Sequence, residues 1–197
     1  MAYITRDTAG QPGAPLVLTF HGTGGDETQF HDLAERLLPG AHVVSPRGDV
    51  SERGMNRYFR RAAEGVYDMD DLAARTAAMA TFVAEAKART GASRVIGLGY
   101  SNGANILASV AMHAPDLVTD MALMHPLIPW SPEPVPGLAG RRVLITAGRR
   151  DPICPAPLTE ALIDWFAGQG AAVDTLWHPG GHELVAEEID ALRRFVG

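Results

Sequence analysis

Short apolar runs alternate along this chain with longer stretches whose apolar residues recur every three to four positions. Residues 16–20 (LVLTF) form the first run, and it ends in His21-Gly22-Thr23-Gly24-Gly25-Asp26. The segment beyond places Phe30, Leu33, Ala34, Leu37 and Leu38 on one helical face until Pro39-Gly40 stops it. Residues 41–45 predict a second strand, broken by Pro46 and Gly48. Acidic residues at 68–71 cap a long helix running to about Arg89, and Gly91 closes it. A third strand at 94–98 leads through Gly99-Tyr100-Ser101-Asn102-Gly103 into a helix that Pro115 terminates. Three more strands are predicted at 121–124, 142–146 and 172–177, with helices at about 157–168 and 183–195. Continuously apolar strands alternating with helices imply a mostly parallel central sheet with helices on both faces. In such a sheet the loops leaving the C-terminal ends of the strands gather on one edge, where ligands bind.

The length of 197 residues suits a single α/β domain over 1–197 and leaves no room for a cap domain above the edge. Seventeen basic and 23 acidic side chains give a formal charge of −6, which argues against a nucleic-acid partner. Cys154 is the only cysteine, so an intramolecular disulfide or a cysteine metal cluster is ruled out. No run of 18 apolar residues predicts a membrane span, and Arg6 and Asp7 sit where the apolar run of a leader would lie. The expected setting is cytoplasmic, and a homodimer stays open.

Gly99-Tyr100-Ser101-Asn102-Gly103 is G-x-S-x-G between a predicted strand and a predicted helix. A turn that tight accepts only glycine two residues either side of the serine, and it pushes the hydroxyl out at the sheet edge in a strained conformation. A dinucleotide site opening on Gly97-x-Gly99 is the competing reading. It lacks its third glycine, because position 102 is Asn, and the next strand ends in His125-Pro126 with no acid for a ribose. A serine nucleophile needs an imidazole to take its proton and a carboxylate to orient that imidazole. Downstream, the strand at 142–146 runs into Asp151 and the last strand into His178-Pro179-Gly180-Gly181-His182. Asp151 and His182 therefore follow Ser101 in the order serine, acid, histidine. His178 is the rival base, held stiffly before a proline, whereas His182 approaches on two glycines. Asp164 and Asp174 fall on a helix and at a strand start. The oxyanion hole is expected from the backbone N–H of Asn102 and that of Thr23.

These segments resemble the α/β-hydrolase superfamily, and within it the small phospholipase/carboxylesterase group, which includes acyl-protein thioesterase-like enzymes and hydroquinone-responsive bacterial esterases. The resemblance rests on HGTGGDETQF at 21–30, SPRG at 45–48, RYFRRAAEGVYD at 57–68, GYSNGAN at 99–105, DPICP at 151–155 and GGH at 180–182. It implies an α/β-hydrolase fold with Ser101, Asp151 and His182 as triad and Thr23 at the oxyanion hole. It also implies a small-molecule ester substrate and neither metal nor organic cofactor. The function it points to is a serine carboxylesterase working through an acyl-enzyme. Lysophospholipase or thioesterase activity on the same machinery is the alternative, and a non-catalytic binding protein is the rival from another class.

Two further features bear on substrate. Arg47, Arg53, Arg57, Arg60 and Arg61 crowd a short stretch after the second strand, and a helix over 55–63 would put the last four on one face. On that reading Arg57 or Arg60 holds an acidic group of the substrate; otherwise the arginines pair with Glu64, Asp68 and neighbours. Leu127 and Trp130, in the proline-rich loop 126–136, are candidates for an acyl-pocket wall. Met69, Met79, Met112, Met121 and Met124 have core spacing, and Cys154 reads as a small buried apolar residue.

Overall fold

The computed structural model describes residues 3–197. Its elements run β1 (Thr5–Thr8), β2 (Leu16–Phe20), α1 (His31–Leu37), β3 (His42–Pro46), β4 (Val50–Glu52), β5 (Met55–Arg57), β6 (Arg61–Ala63) and β7 (Val66–Tyr67). There follow α2 (Met69–Thr90), β8 (Val95–Tyr100), α3 (Asn102–His113), β9 (Asp120–Met124), β10 (Arg142–Gly148), α4 (Ala156–Gly168), β11 (Ala172–His178) and α5 (Ala186–Val196). Seven strands make one sheet in the order β1-β3-β2-β8-β9-β10-β11, parallel throughout except for the antiparallel edge strand β1.

Strand side chains alternate between faces, and each face has its own helices. Leu16, Leu18, Phe20, Val95, Met121, Leu123, Val143 and Ile145 pack with α2, α3 and α4 residues such as Met79, Val83, Leu107 and Phe166. Val17, Val43, Ile96, Leu98, Ala122, Met124 and Leu144 meet Phe30, Ala34 and Leu37 from the α1 side and Leu192, Phe195 and Val196 of α5. The two-sided burial explains why these strands carry unbroken apolar runs. Strand order and right-handed crossovers then bring the C-terminal ends of β2, β8, β9, β10 and β11 to one edge.

The segment at 55–63 is not a helix. It belongs to two ribbons, β4–β5 and β6–β7, each an antiparallel pair outside the main sheet. Arg53 and Gly54 both take positive φ (51° and 85°), the backbone of a two-residue hairpin turn, and Gly65 (φ 69°) turns the second ribbon. The arginines are therefore spread over two ribbons instead of sharing a helix face. Met69 is another correction, for it stands 49% exposed at the start of α2, while Met79, Met121 and Met124 are buried.

Candidate active site

At the end of β8 the chain reverses into α3 through Ser101, whose φ of 52° and ψ of −116° lie where side chains rarely sit. The reversal needs both flanking glycines. A Cβ on Gly99 would stand 2.6 Å from the Gly103 carbonyl oxygen, and one on Gly103 would collide with the Phe20 carbonyl of the neighbouring strand. Strain of this kind costs roughly 1–3 kcal/mol and persists only where the surroundings fix it. Here the Ser101 N–H donates to the Met124 carbonyl and its own carbonyl accepts from Asn105 N–H.

His182 Nε2 lies 2.9 Å from Ser101 Oγ, and His182 Nδ1 lies 2.7 Å from Asp151 Oδ2. With Nδ1–H donating to the carboxylate, Nε2 is free to accept from the hydroxyl. Asp151 Oδ1 accepts from the N–H groups of Ile153 and Cys154. Burial would raise the Asp151 pKa, but these hydrogen bonds, with those from two histidines, outweigh it and hold the carboxyl below its ordinary value. The His182 loop is fastened from the elbow itself, since Tyr100 Oη–H donates to the His182 carbonyl at 2.6 Å and the two rings pack 5.4 Å apart.

Thr23 lies in the loop after β2, beside the elbow. Among the described residues neither its N–H nor that of Asn102, the first residue of α3, has a hydrogen-bond acceptor. The loop is held by a neutral His21: Gly48 N–H donates to its Nε2, so Nδ1–H donates to the Gly22 carbonyl. Burial lowers the His21 pKa, consistent with that tautomer. Arg57 adds a second tether, with Nη1 donating to Thr23 Oγ1 at 2.6 Å.

The whole chain, with its seven-stranded sheet, has relatives among known proteins. Residues 15–142 match the alpha/beta hydrolase fold family. The chain is also 39% identical over 182 residues to the Bacillus subtilis (strain 168) protein named "Putative hydrolase MhqD", with 91% of each chain covered. It belongs to the α/β-hydrolase family. Two solved structures share this α/β-hydrolase fold closely. The Agrobacterium tumefaciens str. C58 protein Atu2452, of unknown function, is 54% identical with a TM-score of 0.93, covering 98% of this chain and 95% of that one. A Bacillus cereus carboxylesterase is 37% identical with a TM-score of 0.92, covering 98% and 92%.

In this α/β-hydrolase a cavity of about 300 Å³ opens over Ser101, lined among others by Thr23, Arg57, Arg61, Glu64, Leu127 and Ile153. Of the four residues singled out for substrate contact, Arg57 and Leu127 reach it. Arg60 does not: its guanidinium is on Asp68 and Asp71, over half exposed to solvent. Trp130 packs edge-on against Tyr67 and faces a groove between α2 and α3 instead. Nor is Arg57 a free cation, because Nε donates to the Phe59 carbonyl and lies 3.2 Å from Glu52. Arg61 is paired with Glu52 and Glu64. Cys154 is buried, and burial drives its thiol pKa well above normal, away from a thiolate.

Two residues unread in the sequence lie directly behind Asp151. His125, at the end of β9, places Nδ1 2.9 Å from the same Asp151 Oδ2, and Nε2 3.1 Å from Glu188 Oε1 on α5. His178, the rival base, is on the far side of this pair, with Nε2 3.5 Å from His125 Nε2. The signal for His125 was its place at a strand end on the active edge, the same reason that singled out Asp151.

Proposed function

We propose that this hydrolase is a serine carboxylesterase acting on small to medium acyl esters. The observation that carries the reading is the hydrogen-bonded line from Ser101 Oγ through His182 to Asp151, aimed into the cavity from a strained elbow. Ser101 Oγ attacks the ester carbonyl as its proton passes to His182 Nε2. The carbonyl π-bond opens to an alkoxide, which the N–H groups of Thr23 and Asn102 receive. His182 then returns the proton to the leaving alcohol as the C–O bond breaks, and the acyl group stays on Ser101. Water, deprotonated by the same Nε2, attacks the acyl-enzyme, and a second tetrahedral intermediate collapses to release the acid and the serine.

The carboxylesterase similarity supports this substrate class, and so does the modest, partly apolar cavity. Local charge is balanced, with Arg57 and Arg61 against Glu52 and Glu64, so among the described residues the cavity has no free cation to demand an acidic ester. The test is a series of nitrophenyl esters of increasing acyl length, set beside matched thioesters, with Ser101→Ala as control. Short-chain esters are expected to react fastest, and a phosphonate should label Ser101 alone. Activity retained in Ser101→Ala would overturn the reading, and a uniform preference for thioesters would replace the substrate class.

A further inference from the structure

The triad acid usually ends the line of catalytic groups, but in this protein the line continues inward. His125 lies between two carboxylates whose side chains, like its own, are fully buried. Asp151 already accepts from Ile153, Cys154 and His182, so it faces His125 Nδ1 as an acceptor. Glu188 Oε1 accepts from Thr146 Oγ1–H at 2.5 Å, and Oε2 accepts from Val185 N–H at 2.8 Å. A neutral imidazole can donate to only one of two acceptors. A doubly protonated ring satisfies both and leaves the buried trio with one net negative charge, the same as a lone aspartate.

We propose that His125 is a fixed imidazolium, held charged by Glu188, that positions Asp151 and tempers its charge so that His182 is oriented without being made too strong a base. The idea rests on the esterase reading, since it assigns His182 as the base. Burial by itself would drive His125 toward neutrality, but the hydrogen bonds and charges of Glu188 and Asp151 prevail and raise its pKa. The backbone fixes the position of the ring, for His125 carries a positive φ of 50° and its N–H is tied to the Thr146 carbonyl. Its carbonyl also receives the Cys154 thiol. The other ionisable groups around it are His178 on β11, His182 and Glu183 in the following loop, and Tyr100 at the end of β8, whose phenol burial pushes up to about 12. His178 Nδ1 accepts from Gly180 N–H, so its Nε2–H faces Glu188 Oε2 at 3.8 Å, because a protonated His125 Nε2, 3.5 Å away, cannot accept it. The ligand atoms of His125, His178 and Glu188 are also close enough to hold a metal ion, the alternative that chelation tests.

Nitrogen NMR of histidine-labelled protein reads the ring directly, whatever the enzyme's activity. His125 should show two protonated nitrogens with no titration through the neutral range. In Glu188→Gln, which keeps an acceptor and loses the charge, His125 should titrate at lower pH than in the wild type. In His125→Asn, which keeps a donor for Asp151 and loses the charge, the acidic limb of kcat/KM should move up by about one pH unit. An unprotonated Nε2 in the wild type would overturn the proposal. So would an unchanged His125 titration in Glu188→Gln, or a rate lost evenly at every pH in His125→Asn. Activity removed by a chelator and restored by zinc would replace it with a metal site. An active Ser101→Ala protein, in contrast, would remove the esterase reading and leave the NMR result standing.

Discussion

At the scale of single residues the two histidines on the last loop make opposite predictions. His182 touches Ser101 Oγ, whereas His178 is separated from the serine by His125 and Asp151. His182→Ala is expected to lower kcat by about 10⁴-fold or more, because a triad acts as a unit. His178→Ala should cost far less, and steady-state kinetics of the two folded variants on one nitrophenyl ester decides the assignment. Ser101, Asp151 and His182, which the structure brings into one hydrogen-bonded line, could be singled out because each stands in a short loop at a predicted strand end, and chain order suggests the roles proposed for them. His125 and Glu188 were not. His125 shared the strand-end position that singled out Asp151 but not a place in the order serine, acid, histidine, and a glutamate on an amphipathic helix carries no local pattern at all. They become neighbours only when β9, β10 and α5 are packed together.

At the scale of elements, β2, β3, β8, β9 and β10 are buried on both faces and could be read because burial writes itself as an apolar run, and the half-exposed edge strand β11 was predicted with them. The four ribbon strands and β1 are only two to four residues long, so neither length nor period distinguishes them. A recurrence of arginine resembling helical spacing gave the wrong element, while Gly54 and Gly65 held the turn signal. The start of α5 also shifts, from 183 to Ala186, because the Glu188 carboxylate caps the Val185 N–H and leaves His182 on an extended approach. The ribbons matter to the site through Arg57, which ties β5 to Thr23. Arg57→Ala should therefore lower kcat/KM on neutral and acidic esters alike, by about tenfold for one lost charge-assisted hydrogen bond. Arg57→Lys should fail to restore it, since one ammonium cannot span Thr23, Phe59 and Glu52. A loss confined to acidic esters would instead mark Arg57 as a substrate-carboxylate contact.

For the molecule as a whole, the buried trio joins the ends of β9 and β10 to α5, so its ionisation is part of folding stability. Asp151 and Glu188 are held below their ordinary values of 3.8 and 4.5 by hydrogen bonds that outweigh burial. Their contribution is fully present above those values and is lost as pH falls through the lower folded ones. His125 is raised above 6.5, so its contribution is full below that value and is lost as pH climbs through the folded one. All three are at full strength only between about 4.5 and 6.5. His21 and His31 act in the opposite sense, because burial lowers both and protonation at acid pH opposes folding. A wild-type melting curve mixes these effects, whereas the difference between wild type and His125→Asn cancels the two distant histidines. Removing one partner of a buried ionic group costs roughly 3–5 kcal/mol, which in a chain of this size is about 6–20 °C in Tm. That gap should be widest between pH 4.5 and 6.5 and should narrow on both sides, as the carboxylates protonate below and, above 6.5, the unfolded chain releases a histidine proton that folded His125 still holds. Calorimetry from pH 4 to 9 on both proteins measures it. A gap of constant size would mean that His125 fills space in the core and that its charge contributes nothing to the fold.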